Sequence, residues 1–364
     1  MTLWVHPSQL IPKCILKTDV MGKTNRPIAT KDTVIEEAHI EVLQRFLIDR
    51  VEVATNLENG VAFTPKEQVK QEVNVKKETQ VEKVLPLMDH YQQVVKAYKF
   101  QFEAWQSGSP IEIHSVRKLI VPLLERTEEV GFYILTLYKY TAKDDYFFHH
   151  SVSTSLIAAV LAQKLGFKKE WMQIGIAAFL ADCGMAKIKR SLFYKEGTLS
   201  KPEFDEIMKH PTYSYRLVEK ITSLTKGAKL AILQHHERLD GTGYPLGVKE
   251  EKIHTYAKIV AISDTYHAMT SERFYRAKQS PFRVIEEMQQ DQFQKFDHQI
   301  LQAFILCLTN FSSGTKVKLS NHEIGEIIYI DPEYPTRPMV RIESTKTIVS
   351  LKEEKQLYIE DIIN

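Results

Sequence analysis

The chain has 364 residues, of which 43% are hydrophobic and 26% are charged, and its formal net charge is +2. This composition excludes a disordered chain, a collagen and a disulfide scaffold, and the balanced charge argues against a nucleic-acid polymer as partner. The three cysteines are widely spaced and odd in number, which indicates free thiols in a reducing compartment. Without a signal-peptide pattern or an apolar run of roughly 18 residues, we expect a cytoplasmic protein with no membrane span and two or three domains.

The N-terminal part predicts a small accessory module. Residues 1–63 alternate short apolar runs with turn residues, and the stretch 35–46 has apolar residues at helical spacing. Residues 51–53 are typical of a closing strand, so the module is expected to be α+β and to have no catalytic role. Residues 64–143 follow as a charged linker and then as connecting helices.

The middle of the chain predicts a helical domain and the end predicts a β domain. Across residues 144–311, apolar residues recur at spacings of three and four, and Ser200 with Glu203 predicts a capping box at one helix start. Residues 312–364 alternate apolar and polar positions between glycines and prolines, which is typical of strands. The expected fold class is therefore mainly α, with an all-helical domain between an N-terminal α+β module and a C-terminal β domain.

Several histidines and aspartates of the helical domain lie on faces that should be core. Burying a carboxylate without a cation or hydrogen-bond partners costs several kcal/mol, so two buried aspartates beside several histidines favour a metal site. Imidazole and carboxylate ligands together suit Fe, Mn or Zn. The candidate ligands, which we expect to converge on one point, are His150, Asp182, His210, His235, His236 and Asp264.

Each of these residues also has an ordinary structural explanation. A single histidine on an apolar helix is more often a satisfied core residue, and an adjacent pair such as His235 and His236 is more often chance. Asp182 could cap the turn at Cys183 and Gly184, and Asp264 could bond a hydroxyl group. Only the joint pattern favours a metal. The spacing alone supports a metal site and ordinary structural roles equally well.

The string that begins at the histidine pair is long and specific. Residues 235–245 read HHERLDGTGYP, which resembles the HHE-x-x-DG-x-GYP signature of the HD-GYP family of cyclic-di-GMP phosphodiesterases. As in that family, an aspartate inside a small apolar helix and an arginine-containing stretch follow, here Asp264 and then Arg273 with Arg276. The resemblance covers about residues 145–307, and the flanks resemble modules that accompany this domain in Gram-positive bacteria.

The resemblance implies a helical domain around a bi- or trinuclear metal centre that hydrolyses cyclic-di-GMP. Asp182 would be the catalytic, bridging carboxylate, and water activated between two metals would attack phosphorus in line with the leaving ribose oxygen. The implied metal ligands are the six candidates given above. The implied substrate-binding residues are Arg238, Asp240, Gly243, Tyr244, Pro245, Arg273 and Arg276, with the arginines on phosphate oxygens.

The sequence departs from the family at the His-Asp doublet. Ala181 stands where the family has histidine, and Met185 stands where it has a phosphate-facing lysine. His267 replaces the usual aspartate, and Tyr146 replaces the glutamate of trinuclear members, so we expect no third metal. Losing a partner of a metal ligand typically costs roughly 10–100-fold in affinity or activity, and losing a ligand should cost at least that. Water or His267 could fill the gap beside Ala181.

Three functions stay open at this stage. The first is a weakened but active phosphodiesterase with one or two divalent ions, of which the second is weakly held. The second is a degenerate member that binds cyclic-di-GMP or a signalling partner protein without turnover, and the third is a scaffold that links the flanks. The retained Gly-Tyr-Pro loop argues against the scaffold, and the lost histidine and lysine argue against full activity. A homodimer is compatible with all three.

Overall fold

The computed structural model describes residues 2–21, 27–45, 48, 50–65, 85–193, 195, 197–272, 278–291, 294–308 and 314–363. The chain divides into two compact units, Met1–Lys83 and Val84–Asn364. Within the described ranges, every helix is too short or too polar to cross a lipid bilayer. Two of the residues expected to bind phosphate, Arg273 and Arg276, lie outside the described residues.

The first unit is a small α+β module. Its elements are β1 (Thr2–Val5), β2 (Val20–Met21), β3 (Pro27–Ala29), α1 (Glu37–Arg45) and β4 (Val51–Ala54). Strand β1 pairs antiparallel with β4, and β2 pairs antiparallel with β3. The side chains of Leu16, Ile35, Leu43 and Val53 are fully buried in its own small core, which accounts for the apolar runs of the sequence.

The second unit begins with helices. They are α2 (Leu87–Gln106), α3 (Ile113–Leu124), α4 (Thr127–Val130), α5 (Tyr146–Lys164), α6 (Trp171–Leu180), α7 (Lys201–Ile207), α8 (His210–Val218), α9 (Lys226–Gln234), α10 (Thr255–Thr270), α11 (Pro281–Asp291) and α12 (His298–Leu308). The capping box of Ser200 and Glu203 is present at the start of α7, so that prediction is confirmed. Helices α5, α6 and α10 are buried on most sides, because apolar residues occur on every face of each helix. Polar residues on α5 and α10 therefore lie in the interior.

Five strands follow the helices. They are β5 (Lys316–Leu319), β6 (Ile324–Tyr329), β7 (Met339–Ile342), β8 (Ile348–Ser350) and β9 (Ile359–Ile363). They form one antiparallel sheet in the order β8-β7-β6-β5-β9. Alternate residues such as Val317, Ile327 and Val340 are buried and belong to the same hydrophobic core as the helices. The fold class is mainly α with a small C-terminal sheet, as the patterns predict.

Partly buried polar contacts fix the sheet to the helices. The Arg337 guanidinium, in the loop before β7, makes two hydrogen bonds to the carboxylate of Glu286 on α11, at 2.5 and 2.6 Å. Asp361 on β9 accepts a hydrogen bond from the Tyr138 hydroxyl at 2.6 Å and pairs with the Lys139 ammonium at 2.8 Å. The sheet is thus held to the helical part by both packing and charge-assisted bonds.

Candidate metal centre

The six candidate ligands converge on one place from five points of the helical region. His150 lies on α5 and Asp264 lies on α10, both on buried faces. Asp182 follows the end of α6, and His210 is the first residue of α8. His235 and His236 come directly after α9. Their ligand atoms fall into two groups that share Asp182, and within each group all the atoms lie within 4.8 Å of one another.

The first group, which we call the four-ligand group, consists of Asp182, His210, His235 and His236. The Oδ1 atom of Asp182 lies 3.0 Å from Nε2 of His210 and 3.5 Å from Nε2 of His235. The two imidazoles themselves approach to 3.2 Å between their Nε2 atoms. Three imidazoles and a carboxylate oxygen therefore face one small volume.

The second group, which we call the three-ligand group, consists of His150, Asp182 and Asp264. Nε2 of His150 lies 2.8 Å from Oδ1 of Asp264 and 3.5 Å from Oδ2 of Asp182. Asp182 thus directs Oδ1 at the four-ligand group and Oδ2 at the three-ligand group. This is the geometry that a carboxylate needs in order to bridge two cations.

Hydrogen bonds behind the histidines fix their rings. Nδ1 of His210 lies 2.8 Å from the carbonyl oxygen of Ile207, and Nδ1 of His235 lies 2.8 Å from that of Ile232. A carbonyl can only accept, so Nδ1 carries a proton in each ring, and Nε2 is the atom that each ring directs at Asp182. Metal-binding histidines are almost always held in this way, and the donor set of the four-ligand group fits a divalent metal.

His150 has a different support. Its Nδ1 lies 3.0 Å from Nδ1 of His267, and Nε2 of His267 lies 3.4 Å from the Ser271 hydroxyl. Tyr146 stacks on the His150 ring, with ring centroids 5.3 Å apart. His267 contacts the side of the ring that faces away from Asp182 and Asp264, so it orients His150 and adds no ligand atom to either group.

The protonation states of the two carboxylates and of His236 suit metal binding. Burial opposes the ionisation of Asp182, but hydrogen bonds from His210 and His235 hold its pKa well below the usual range. Burial likewise opposes the ionisation of Asp264, whose pKa is lowered by the neighbouring His236 and His150. Burial and the adjacent His235 hold the pKa of His236 well below its usual value. Charged carboxylates and a neutral imidazole are the forms that coordinate a cation.

The turn after Asp182 is fitted closely to α8. A Cβ atom at Gly184 would lie 2.3 Å from the carbonyl oxygen of His210 and from the backbone nitrogen of Ser214. The Gly184 N–H instead donates to the Ser214 hydroxyl at 2.7 Å. Glycine therefore lets this turn approach α8, which brings Asp182 against His210. Ala181, in the place of the family's histidine, is 3% exposed.

The Gly-Tyr-Pro loop is held by a buried glutamate that the sequence interpretation left without a role. Glu237 is 2% exposed and accepts hydrogen bonds from the backbone N–H groups of Leu246, at 2.6 Å, and Val248, at 3.1 Å. A Cβ atom at Gly243 would lie 2.5 Å from Cα of Glu237, so only glycine allows this loop to fold back. Tyr244 then stacks on His236, with ring centroids 4.7 Å apart. The signal in the sequence was an acidic residue inside the motif, directly after the histidine pair.

A cleft of about 590 Å³ opens over the centre. Of the residues expected to bind substrate, Arg238 and Tyr244 line it, together with Met185 in the place of the family's lysine. Asp240 turns back on its own loop and accepts hydrogen bonds from the backbone and hydroxyl of Thr242, at 2.9 and 2.7 Å. Pro245 continues the loop after a cis peptide bond.

Arg238 is fixed in the wall of the cleft. Its guanidinium donates to the carbonyl oxygen of Glu237 at 2.9 Å and to the Thr265 hydroxyl at 3.3 Å, and it lies over the Phe296 ring at 5.3 Å. Gln234 fixes the loop before α10 in a similar way, since it accepts from the His254 N–H at 3.0 Å. No sequence pattern singled out Gln234.

Known proteins with the same domain are consistent with this centre. Residues 137–300 match the family model described as HD domain. The chain is 30% identical over 196 residues to a cyclic di-GMP phosphodiesterase of Pseudomonas aeruginosa, which covers 54% of this chain and 47% of that protein. It is 27% identical over 197 residues to a cyclic di-GMP phosphodiesterase of Borreliella burgdorferi, which covers 54% and 52%. The chain thus spans about half the length of these relatives.

A solved structure of an HDG"Y"P protein from Bdellovibrio bacteriovorus aligns with 84% of this chain and 98% of its own, at 16% identity and a TM-score of 0.44. The match to the family model covers the helical region that carries the six converging side chains and the 235–245 string. Residues 137–300 therefore match an HD domain and are similar to HD-GYP phosphodiesterases, with an alanine in place of the histidine of the His-Asp doublet.

Proposed function

We propose that this chain binds cyclic-di-GMP over two divalent metal ions in the cleft and hydrolyses it slowly. The observation that carries the proposal is the position of Asp182, whose two oxygens face two separate ligand groups. A single buried metal or a purely structural histidine cluster does not need a carboxylate shared in this way. The family relationship supports the same chemistry.

The two groups would hold the ions, and the mixed imidazole and carboxylate donors suit Fe, Mn or Zn. Ions bound here would supply Lewis acidity that activates water and stabilises charge on phosphoryl oxygens. The four-ligand group offers a larger donor set than the three-ligand group. We therefore expect the four-ligand group to fill first and the other to fill incompletely.

The remaining residues of the cleft bind and orient the substrate. A volume of about 590 Å³ lies within the range of small-molecule sites, which is about 300–1,000 Å³. Arg238 brings a positive charge to the wall beside Asp264 and Thr265, where it would attract a phosphate. The Tyr244 ring and the apolar wall that includes Phe147 and Phe204 would cover a nucleobase and exclude water.

A second candidate is a receptor that binds the same nucleotide without turnover. The observation in its favour is Met185, which places an uncharged thioether in the cleft where the family has a cation. A positive charge there would stabilise charge that develops on the phosphoryl group in the transition state. Loss of this charge lowers the rate of hydrolysis more than it lowers the affinity for the nucleotide, so binding and turnover must be measured separately.

The test measures metal per chain and the rate of cyclic-di-GMP hydrolysis on the same preparation. We expect more than one ion per chain, less than two, and slow turnover that disappears in Asp182→Ala. Nucleotide binding without turnover at full metal loading would favour the receptor. A chain that binds neither metal nor nucleotide would contradict both candidates.

Calorimetry with cyclic-di-GMP tests the cleft itself. We expect Arg238→Ala and Tyr244→Ala to weaken binding, and Arg273→Ala and Arg276→Ala to do the same if these arginines reach the phosphates. Arg341→Ala is the matched control, because Arg341 is an exposed arginine on β7. Equal affinity in all these variants would place the nucleotide elsewhere.

A further inference from the structure

A second cavity lies at the junction of the helices and the sheet. Its volume is about 330 Å³, and it is lined by residues around the start of α11, by β5 and by the end of the chain around β9. Three cations, Lys278, Arg283 and Lys318, line it with two carboxylates, Glu360 and Asp361. Which of these charges are already neutralised decides what the cavity can bind.

Both carboxylates have cationic partners. Asp361 accepts a hydrogen bond from the Tyr138 hydroxyl at 2.6 Å and lies 2.8 Å from the Lys139 ammonium. Glu360 lies 2.8 Å from the ammonium of Lys318. Each negative charge of the lining is therefore balanced by a lysine, and Lys318 is not available to a ligand without releasing Glu360.

Two cations are left over. Within the part of the chain that the structure describes, neither Lys278 nor Arg283 has a carboxylate within 4.0 Å. The Lys278 ammonium lies 5.2 Å from the centre of the Tyr138 ring, and the Arg283 guanidinium carbon lies 5.0 Å from the centre of the Tyr358 ring. The rings position the two cations through cation–π contacts but do not neutralise them. The cavity therefore carries an excess of about two positive charges.

We propose that this cavity binds the phosphate group of a small phosphate monoester. A guanidinium offers two parallel N–H donors that match phosphate oxygens, and an ammonium beside it adds a point charge. The two positive charges of Lys278 and Arg283 balance a phosphate monoester, which carries between one and two negative charges near neutral pH. The site is separate from the metal centre, whose cleft has a different lining, and it does not depend on the proposed function.

The test is equilibrium binding of inorganic phosphate, GMP and guanosine to the full chain at low ionic strength. We expect phosphate and GMP to bind and guanosine not to bind, because the phosphate is the recognised group. The double variant Lys278→Ala, Arg283→Ala should weaken this binding by about tenfold or more, since charge-assisted hydrogen bonds are lost. Lys278→Arg keeps the charge and should retain most of the affinity.

Two controls separate this site from the metal centre and from general charge. The double variant Arg341→Ala, Lys355→Ala removes two exposed cations, one on β7 and one in the turn between β8 and β9, and it should bind as the wild type does. Asp182→Ala removes the ion-dependent phosphate binding that the metal centre would contribute, and phosphate and GMP should still bind to this variant at the second cavity. Unchanged affinity in the Lys278 and Arg283 double variant would overturn the proposal, as would loss of binding in Asp182→Ala or the absence of phosphate and GMP binding in the wild type.

Discussion

The two ligand groups around Asp182 differ in both composition and support. The four-ligand group has three imidazoles, two of which are fixed by backbone carbonyl groups. The three-ligand group has one imidazole, His150, which is fixed by another imidazole, that of His267. We expect that a histidine at position 181 would bring the smaller group to four residues. We therefore propose that the departures from the family at 181 and 267 both weaken the three-ligand group, while the four-ligand group keeps its three imidazoles and its carboxylate.

The largest loss of metal should follow the removal of Asp182, the residue that the two groups share. Asp182→Ala takes one carboxylate oxygen from each group, so we expect metal content to fall close to zero at both positions. Asp264→Ala should lower metal content only at the three-ligand group. Mass spectrometry of metal per chain measures both, and circular dichroism checks that the variants fold. Wild-type metal content in Asp182→Ala would contradict a bridging carboxylate.

Restoring the His-Asp doublet should raise the metal affinity of the three-ligand group. Ala181→His supplies an imidazole beside Asp182, and we expect metal affinity at the three-ligand group to rise by roughly 10–100-fold. Because position 181 is 3% exposed, a larger side chain could also strain the core, at about 1–3 kcal/mol. Ala181→Leu is the control for that strain. Equal metal binding by the alanine and histidine forms would show that the smaller group is already complete.

A second substitution separates metal loading from charge stabilisation. Adding Met185→Lys to Ala181→His should leave metal content unchanged and raise the hydrolysis rate, because the ammonium would act on the phosphoryl group rather than on the ions. Metal per chain and turnover of cyclic-di-GMP are measured for the single and double variants. A rise in rate from Met185→Lys alone, at low metal content, would argue that the second ion is not limiting.

Sequence patterns were sufficient for the main elements and for the convergence of the six candidate ligands, but not for the contacts that hold these side chains in place. The apolar helices around His150 and Asp264 and the alternation around Val317 and Val340 are local signals, so periodicity reveals them. The contact between His150 and His267 joins residues 117 positions apart, and no local pattern states which faces of α5 and α10 meet. The same holds for Arg337 and its partner on α11.

His267 should matter to the three-ligand group alone. His267→Ala removes the partner of His150 Nδ1, so we expect roughly tenfold weaker metal binding at that group, with the four-ligand group unchanged. His267→Asp restores the family's residue and a carboxylate acceptor, and it should bind at least as well as the wild type. Metal titrations of the three forms measure this. A loss at both groups in His267→Ala would indicate a general effect on the fold instead.

The smallest change in metal affinity should appear at the four-ligand group, through the loop that supports His236. Glu237 holds the backbone of Leu246 and Val248, and this loop carries the Tyr244 ring that stacks on His236. Glu237→Gln keeps the shape of the side chain but exchanges one acceptor oxygen for a donor, which leaves one backbone N–H unpaired. Such a buried donor costs about 1–3 kcal/mol, so the loop should loosen and metal affinity at the four-ligand group should fall a few-fold. Glu251→Gln, at an exposed position, is the matched control. If the loss instead appeared at the three-ligand group, the two halves would not be independently supported, and the contrast between them would rest on ligand number alone.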